Sequence, residues 1–222
     1  MRQAVVMMAK TPQAGEVKTR LCPSLTLEEA AALYRGFLFD TVAKIASLAP
    51  VQPVMSYTPA SGEAFFAAAV PDWTRLPQDG ADLGARMHHC FTQLLAQDYD
   101  HVLLTGSDLP TLPLGIFKQA IRLAACPQID VILGPSEDGG YYLIGLRAPC
   151  PALFEHMTWS TSDVLTETVR RAKRIGLRVA YLPTWYDIDT PADLVRLQAA
   201  LTQPYTRDLH HTRAFFAARS SS

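Results

Sequence analysis

Three cations stand within eleven residues in Lys10-Thr-Pro-Gln-Ala-Gly15-Glu-Val-Lys18-Thr-Arg20, around one proline and one glycine. Such a loop suits a diphosphate: Gly15 lets backbone amides approach the oxygens, while Lys18 and Arg20 supply the charge. It is not a Walker loop, because G-x-x-x-x-G-K-[ST] requires glycine where Val17 stands. On pattern alone a solvated basic loop remains open. A second candidate is Asp108 in Thr105-Gly-Ser-Asp108-Leu-Pro110. A lone carboxylate there is a plausible Mg²⁺ or Mn²⁺ ligand, since hard cations take one or two carboxylates plus substrate phosphate oxygens; the alternative is a turn cap. Trp185-Tyr-Asp187-Ile-Asp189-Thr190-Pro191 adds two carboxylates whose spacing in extended chain directs both to one side. Thr190, Pro191 and Asp193 read as a helix start, so capping explains Asp193. Asp189 is favoured narrowly over Asp187 as the second metal ligand.

Other segments carry weaker signals. In Glu137-Asp138-Gly139-Gly140-Tyr141 the paired glycines serve either a turn, the commoner reason, or a ligand approaching the backbone. In Gly80-Ala-Asp82-Leu-Gly84-Ala-Arg86, Asp82 suits an N-cap, and Arg86 is either solvated or a phosphate partner. His88, His89 and Cys90 are consecutive on a predicted helix, point about 100° apart and cannot share a zinc. His210 and His211 sit in a polar tail and are expected in solvent. Gly134-Pro-Ser136-Glu-Asp138 lacks the closing glycine of a nucleophile elbow, and no G-x-G-x-x-G follows the first strand.

The elements that must position these residues alternate. Gln3 to Ala9 reads as a buried strand, and a long helix follows Thr26 with Glu28 and Glu29 in its first turn, where the helix dipole favours them. Strands are then expected at Pro53–Thr58, Thr74–Leu76, His101–Gly106, Val131–Leu133, Tyr141–Leu146 and Arg178–Leu182. Helices are expected at Gly62–Ala69, Gly84–Gln97, Pro113–Ala125, Asp163–Ile175 and Pro191–Leu201. Runs such as VVMM and HVLL lack alternation, as strands covered on both faces do in parallel sheets. The fold class is therefore α/β, a mostly parallel twisted sheet between helical layers. The two strands flanking GPSEDGG have no helix between them, which predicts a local antiparallel excursion. Candidate residues fall just after strands, where open parallel sheets bind ligands.

The 222 residues, 49% hydrophobic, fit one domain, expected at 1–203, with a 204–222 extension that ends in a short helix and a disordered Ser220–Ser222. A net charge of -1 argues against a nucleic-acid polymer or anionic lipid as partner. No apolar run reaches the roughly 18 residues of a membrane span. The six apolar residues before Lys10 are too few for a secretory signal. Four scattered cysteines, Cys22, Cys90, Cys126 and Cys150, suggest reduced thiols and a cytoplasmic protein.

Taken in order, Ala9-Lys10-x-Pro12-x-x-Gly15-x-x-Lys18-Thr19-Arg20-Leu21, Asp82-Leu-Gly-x-Arg86-Met87, Gly106-Ser-Asp108-x-Pro110, Asp138-Gly-Gly-Tyr-x-Leu143-x-Gly145-Leu146 and Asp187-x-Asp189-Thr-Pro-x-Asp193-Leu194 form a specific set. The set, over roughly residues 3 to 200, resembles the bacterial transferase family with a glycosyltransferase-A fold named for its association with radical-SAM and selenocysteine-related genes. More distantly it is similar to the guanylyltransferases for molybdenum cofactor and 2-phospholactate, and to the cytidylyltransferases of sugar-acid metabolism. The resemblance implies a nucleotide-diphospho-sugar transferase fold. It implies that Lys10, Gly15, Lys18 and Arg20 hold phosphates while Asp82, Gly84 and Arg86 approach base or ribose. Asp108 and Asp189, or Asp187, would hold Mg²⁺ or Mn²⁺. Glu137, Asp138, Gly139, Gly140 and Tyr141 would face acceptor or sugar, with Asp108, Lys18 and Asp138 catalytic. The sequence departs from the glycosyltransferase Asp-x-Asp signature, since Ser107 precedes Asp108 and Pro110 stands at the second position.

Two reactions use these parts. Glycosyl transfer from a nucleotide sugar to a small-molecule acceptor, with Glu137 or Asp138 as general base, stands first. Nucleotidyl transfer from a nucleoside triphosphate, with pyrophosphate leaving, is the alternative. A third possibility of a different class is a nucleotide-binding protein without catalysis.

Overall fold

The computed structural model describes residues 1–220, without the side chain of Ser220; the expected disorder at 221 and 222 lies outside the described residues. The first strand, β1 (Gln3–Lys10), is buried on both faces: Val5, Met7 and Ala9 enter one core layer, Ala4 and Val6 the other. That double burial is why its apolar run lacks alternation. Helix α1 (Leu27–Ala46) follows, and Thr26 and Glu29 close a reciprocal capping box at its start. Then come β2 (Gln52–Thr58), α2 (Glu63–Ala69), β3 (Thr74–Pro77), α3 (Leu83–Leu95) and β4 (His101–Thr105). The chain continues through α4 (Leu114–Ala124), β5 (Val131–Pro135), β6 (Tyr141–Leu146), α5 (Val164–Arg174), β7 (Val179–Tyr181), α6 (Pro191–Ala200) and α7 (His210–Ser220).

The seven strands form one sheet in the order β3-β2-β1-β4-β6-β5-β7. Only β6 runs against the others, pairing antiparallel with both β4 and β5, and this is the excursion expected around GPSEDGG. The turn is made by Gly139 at φ 91°, where a Cβ would lie 2.2 Å from the Ser162 carbonyl oxygen. Strand order reverses between β1 and β4, so the loops leaving their carboxyl ends lie side by side and open a crevice. Helices cover both faces of the sheet, and the final helix packs Phe215 and Phe216 against the same layer as α1. All four cysteines are free thiols. Among the described residues no helix is long and apolar enough to cross a membrane.

One buried group makes the fold acid-sensitive. His101 opens β4 fully buried, with neither ring nitrogen hydrogen-bonded, and burial pushes its imidazole down to about 4. The unfolded chain takes up this proton below about pH 6.5, whereas the folded chain resists it down to about pH 4, so stability is complete above that window and falls through it. Between pH 7 and pH 5 this one group should cost about 2 kcal/mol. Urea unfolding of wild type and His101→Leu at both pH values checks it: the wild type should lose that much more than the variant, and parallel profiles would exclude His101 as the cause.

Candidate active site

The loop after β1 is pinned by Val17 and Leu21, both buried in the core. Between them Lys18 adopts the left-handed conformation, φ 51°, at the head of a 3₁₀ turn over Thr19–Leu21. This delivers its side chain inward, where Nζ donates to Asp108 Oδ2 at 2.8 Å and Asp189 Oδ1 at 2.6 Å. Burial alone would lower the Lys18 ammonium, but the charges and hydrogen bonds of Asp108 and Asp189 outweigh it and raise it above the ordinary value. Arg20, largely exposed, reaches Asp189 Oδ2 at 3.8 Å.

The carboxylates arrive from two other segments. Asp108 stands three residues beyond β4. The chain leaving β7 runs alongside β5, with Trp185 N–H on the Pro135 carbonyl at 3.0 Å, then returns so that Ile188 N–H donates to the Asp108 carbonyl at 3.0 Å. Asp187 and Asp189 thereby flank Asp108. Asp187 is the more buried: its Oδ1 has no hydrogen-bond partner, and burial followed by the charges of Asp108, Asp189 and Asp138 pushes its carboxyl up to about 7, with Lys18 opposing. Asp189 is instead engaged by Lys18, and the turn of chain after it is fixed by Asp193, whose Oδ2 accepts the Asp189 and Thr190 amides at 3.1 and 2.8 Å.

Lys18, Arg20, Asp108 and Asp189 border a cavity of about 490 Å³ whose walls also include Lys10, Arg86 and Tyr141. Other expected residues have local tasks. Asp82 caps α3, its Oδ1 accepting the Ala85 amide at 2.8 Å. Gly84 lies under the Trp159 indole, which an added Cβ would meet at 2.4 Å. Asp138 accepts the Gly140 amide at 2.9 Å and holds the turn, although its charge is felt at Asp187. Glu137 is drawn away: the Arg196 guanidinium grips both its oxygens at 2.6 and 2.9 Å and holds its carboxyl below the usual range.

Two site residues escape the sequence reading. The buried Tyr34 hydroxyl on α1 accepts the Lys10 amide at 2.9 Å and shares a 2.8 Å hydrogen bond with Ser107 Oγ. Ser107 in turn donates to Asp108 Oδ1 at 3.3 Å. This chain ties the cationic loop to the carboxylate loop. In the sequence Tyr34 is one more aromatic on a helix face, and Ser107 one more small loop residue.

The chain matches over residues 41–161 the family described as "Uncharacterized protein conserved in bacteria (DUF2064)", and along its whole length it is 34% identical to a solved structure from Desulfovibrio desulfuricans G20. It belongs to the DUF2064 family. That relative, a candidate nucleotide-diphospho-sugar transferase, superposes with a TM-score of 0.91 over 100% of this chain and 96% of its own. A CMP:2-keto-3-deoxy-manno-octonic acid synthetase solved with CTP is 12% identical, with a TM-score of 0.58 over 91% of this DUF2064 chain and 99% of its own. The inositol-1-phosphate CTP transferase of T. maritima is 16% identical, with a TM-score of 0.54 over 92% and 97%. At such identities the last two speak to the fold alone, and the D. desulfuricans relative gives this DUF2064 member the nucleotide-diphospho-sugar transferase type of fold. No curated protein matches the chain.

Proposed function

We propose that this protein transfers a group from a nucleotide-activated donor to a small-molecule acceptor, with the donor's phosphates on the Lys10–Arg20 loop. The observation that carries the reading is the meeting of that loop with Asp108 and Asp189, from three separate segments, in the crevice where strand order reverses. The 34% identical relative and the CTP-bound structural neighbour support nucleotide phosphates as the ligand.

The residues present fit Mg²⁺ or Mn²⁺. Asp187 Oδ1 is buried without a partner and feels the charges of Asp108, Asp189 and Asp138, with Lys18 the cation opposing them; such carboxylates are the hard oxygen donors that the ion takes one or two at a time alongside phosphate. Asp108 with Asp187 or Asp189 would hold the ion. Bound there, it would supply the charge neutralisation that a breaking phosphate bond needs. Lys10, Arg20 and Arg86 would bind the remaining phosphate charge from the cavity wall, and Tyr34 and Ser107 keep the two loops in register.

Of the two bonds, the one between the α- and β-phosphates fits better. In nucleotidyl transfer an acceptor phosphate oxygen attacks the α-phosphorus and pyrophosphate leaves, so no protein base is required. Glycosyl transfer needs a base on the acceptor hydroxyl, and Glu137 is held by Arg196. The second reading, glycosyl transfer, rests on the D. desulfuricans relative, with Asp138 as its base.

Thermal shift with the four nucleoside triphosphates and the common nucleotide sugars, each with Mg²⁺, Mn²⁺ or EDTA, tests the proposal, since a ligand of the native state raises its melting temperature. A metal-dependent shift with one triphosphate directs the assay to pyrophosphate release. A shift with a nucleotide sugar alone selects glycosyl transfer, and no shift with any ligand overturns both. In the assay that follows, Glu137→Gln should change turnover by less than about threefold, whereas loss of a general base would cost about 10²-fold or more.

A further inference from the structure

We propose that Lys18 is a resident counter-cation through which the site rejects a bare divalent cation and takes one only together with a phosphate chain. The inference rests on the phosphate-loop reading above and assigns Lys18 a selective task within it. Its ammonium sits beneath the two carboxylates: the Lys18 side chain is 4% exposed, while those of Asp108 and Asp189 are 40% and 39% exposed toward the cavity. Backbone geometry fixes this position, since Lys18 is left-handed between two buried anchors, Val17 and Leu21.

The consequence is electrostatic. One positive charge already neutralises half of the Asp108–Asp189 pair, and a divalent ion on the outward oxygens would stand next to it, so like-charge repulsion offsets much of the attraction. Phosphate oxygens arriving with the ion supply the missing negative charge and accept the ammonium as a partner. Among the described residues no three His, Cys, Asp or Glu side chains gather to hold an ion by themselves, and Mg²⁺ habitually completes its shell with substrate phosphates when only one or two carboxylates are offered. Ion and phosphate must then strengthen each other's binding by one and the same factor.

The experiment titrates wild type, Lys18→Gln and Lys18→Arg with Mn²⁺, following the free ion by electron paramagnetic resonance, without and with inorganic pyrophosphate and after allowance for the complex formed in solution. Lys18→Gln should bind Mn²⁺ alone about tenfold or more tightly than wild type, yet bind pyrophosphate with Mn²⁺ about tenfold more weakly. Lys18→Arg should restore the wild-type order. A merely structural lysine would weaken both affinities together, and that result, or an Mn²⁺ affinity unchanged or undetectable in Lys18→Gln, overturns the proposal. Should Lys18→Gln fail to fold, the wild type decides alone: saturating pyrophosphate must raise Mn²⁺ affinity about tenfold or more, and independent binding overturns the proposal. Pyrophosphate that never binds the wild type ends the phosphate-loop reading instead, while the Mn²⁺ comparison still judges Lys18.

Discussion

Asp108→Asn should lower turnover about 10²- to 10³-fold, the loss typical of removing one preorganised charge-stabilising group, while leaving the melting temperature nearly unchanged. The two halves of this expectation have separate physical grounds. The loop is held by its backbone, with the Ile188 amide on the Asp108 carbonyl at 3.0 Å, and asparagine keeps that carbonyl. Its side chain has the same shape, is 40% exposed, and leaves Lys18 the 2.6 Å contact with Asp189, so no bare charge is stranded in the interior. On the proposed reading the rate would fall because the carboxylate that would organise cation and phosphate beside Lys18 has lost its charge. Turnover with the donor found by thermal shift, measured beside the melting temperature of both proteins, checks it. An unfolded Asp108→Asn chain would make this aspartate structural, and an undiminished rate would remove it from the chemistry.

What the sequence makes legible follows from range. Lys18, Asp108 and Asp189 could be found because each lies in the loop that leaves a strand's carboxyl end, and the alternation of strands and helices sends such loops to one crevice. Asp82 and Asp193 could be recognised as caps because their partners are three residues away. Glu137 could not be dismissed as a base, since the Arg196 that occupies it stands 59 residues along the chain. What sets Asp187 and Asp189 apart is burial and the contact of Asp189 with Lys18, 171 residues away, which no spacing encodes. Tyr34 was hidden for a different reason. Its ring has an ordinary core position, and only the hydroxyl's contacts with Lys10 and Ser107 separate it from a phenylalanine.

Another contact of such range carries the other large expectation, a loss of about 3–5 kcal/mol in Asp40→Ala, as for one partner removed from a buried charge network. Asp40 lies on α1, 1% exposed, and accepts the amides of His211 and Thr212 at 2.9 Å each. These are first-turn amides of α7, which have no partner within their own helix, so a residue 171 positions away caps it. The fit is close: at Gly36, one turn earlier, a Cβ would lie 3.3 Å from the Thr212 nitrogen. One turn later Lys44, also buried, donates to the carbonyls of Pro110 and Leu112 at 2.6 and 3.1 Å. Burial lowers its ammonium below the ordinary value, and the charges of Asp208 and Asp40 counter that fall. Alanine at 40 would therefore strand two amides and weaken the support of a buried cation that braces the loop just beyond Asp108. At about 2–4 °C per kcal/mol for a chain of this size, the melting temperature should drop by roughly 6–20 °C. Amide exchange should quicken across 209–220 and, through Lys44, across 110–112, while Asp40→Asn, which retains one acceptor oxygen, should lie between. A melting temperature within a degree of wild type would mean that α7 is held by its apolar face alone.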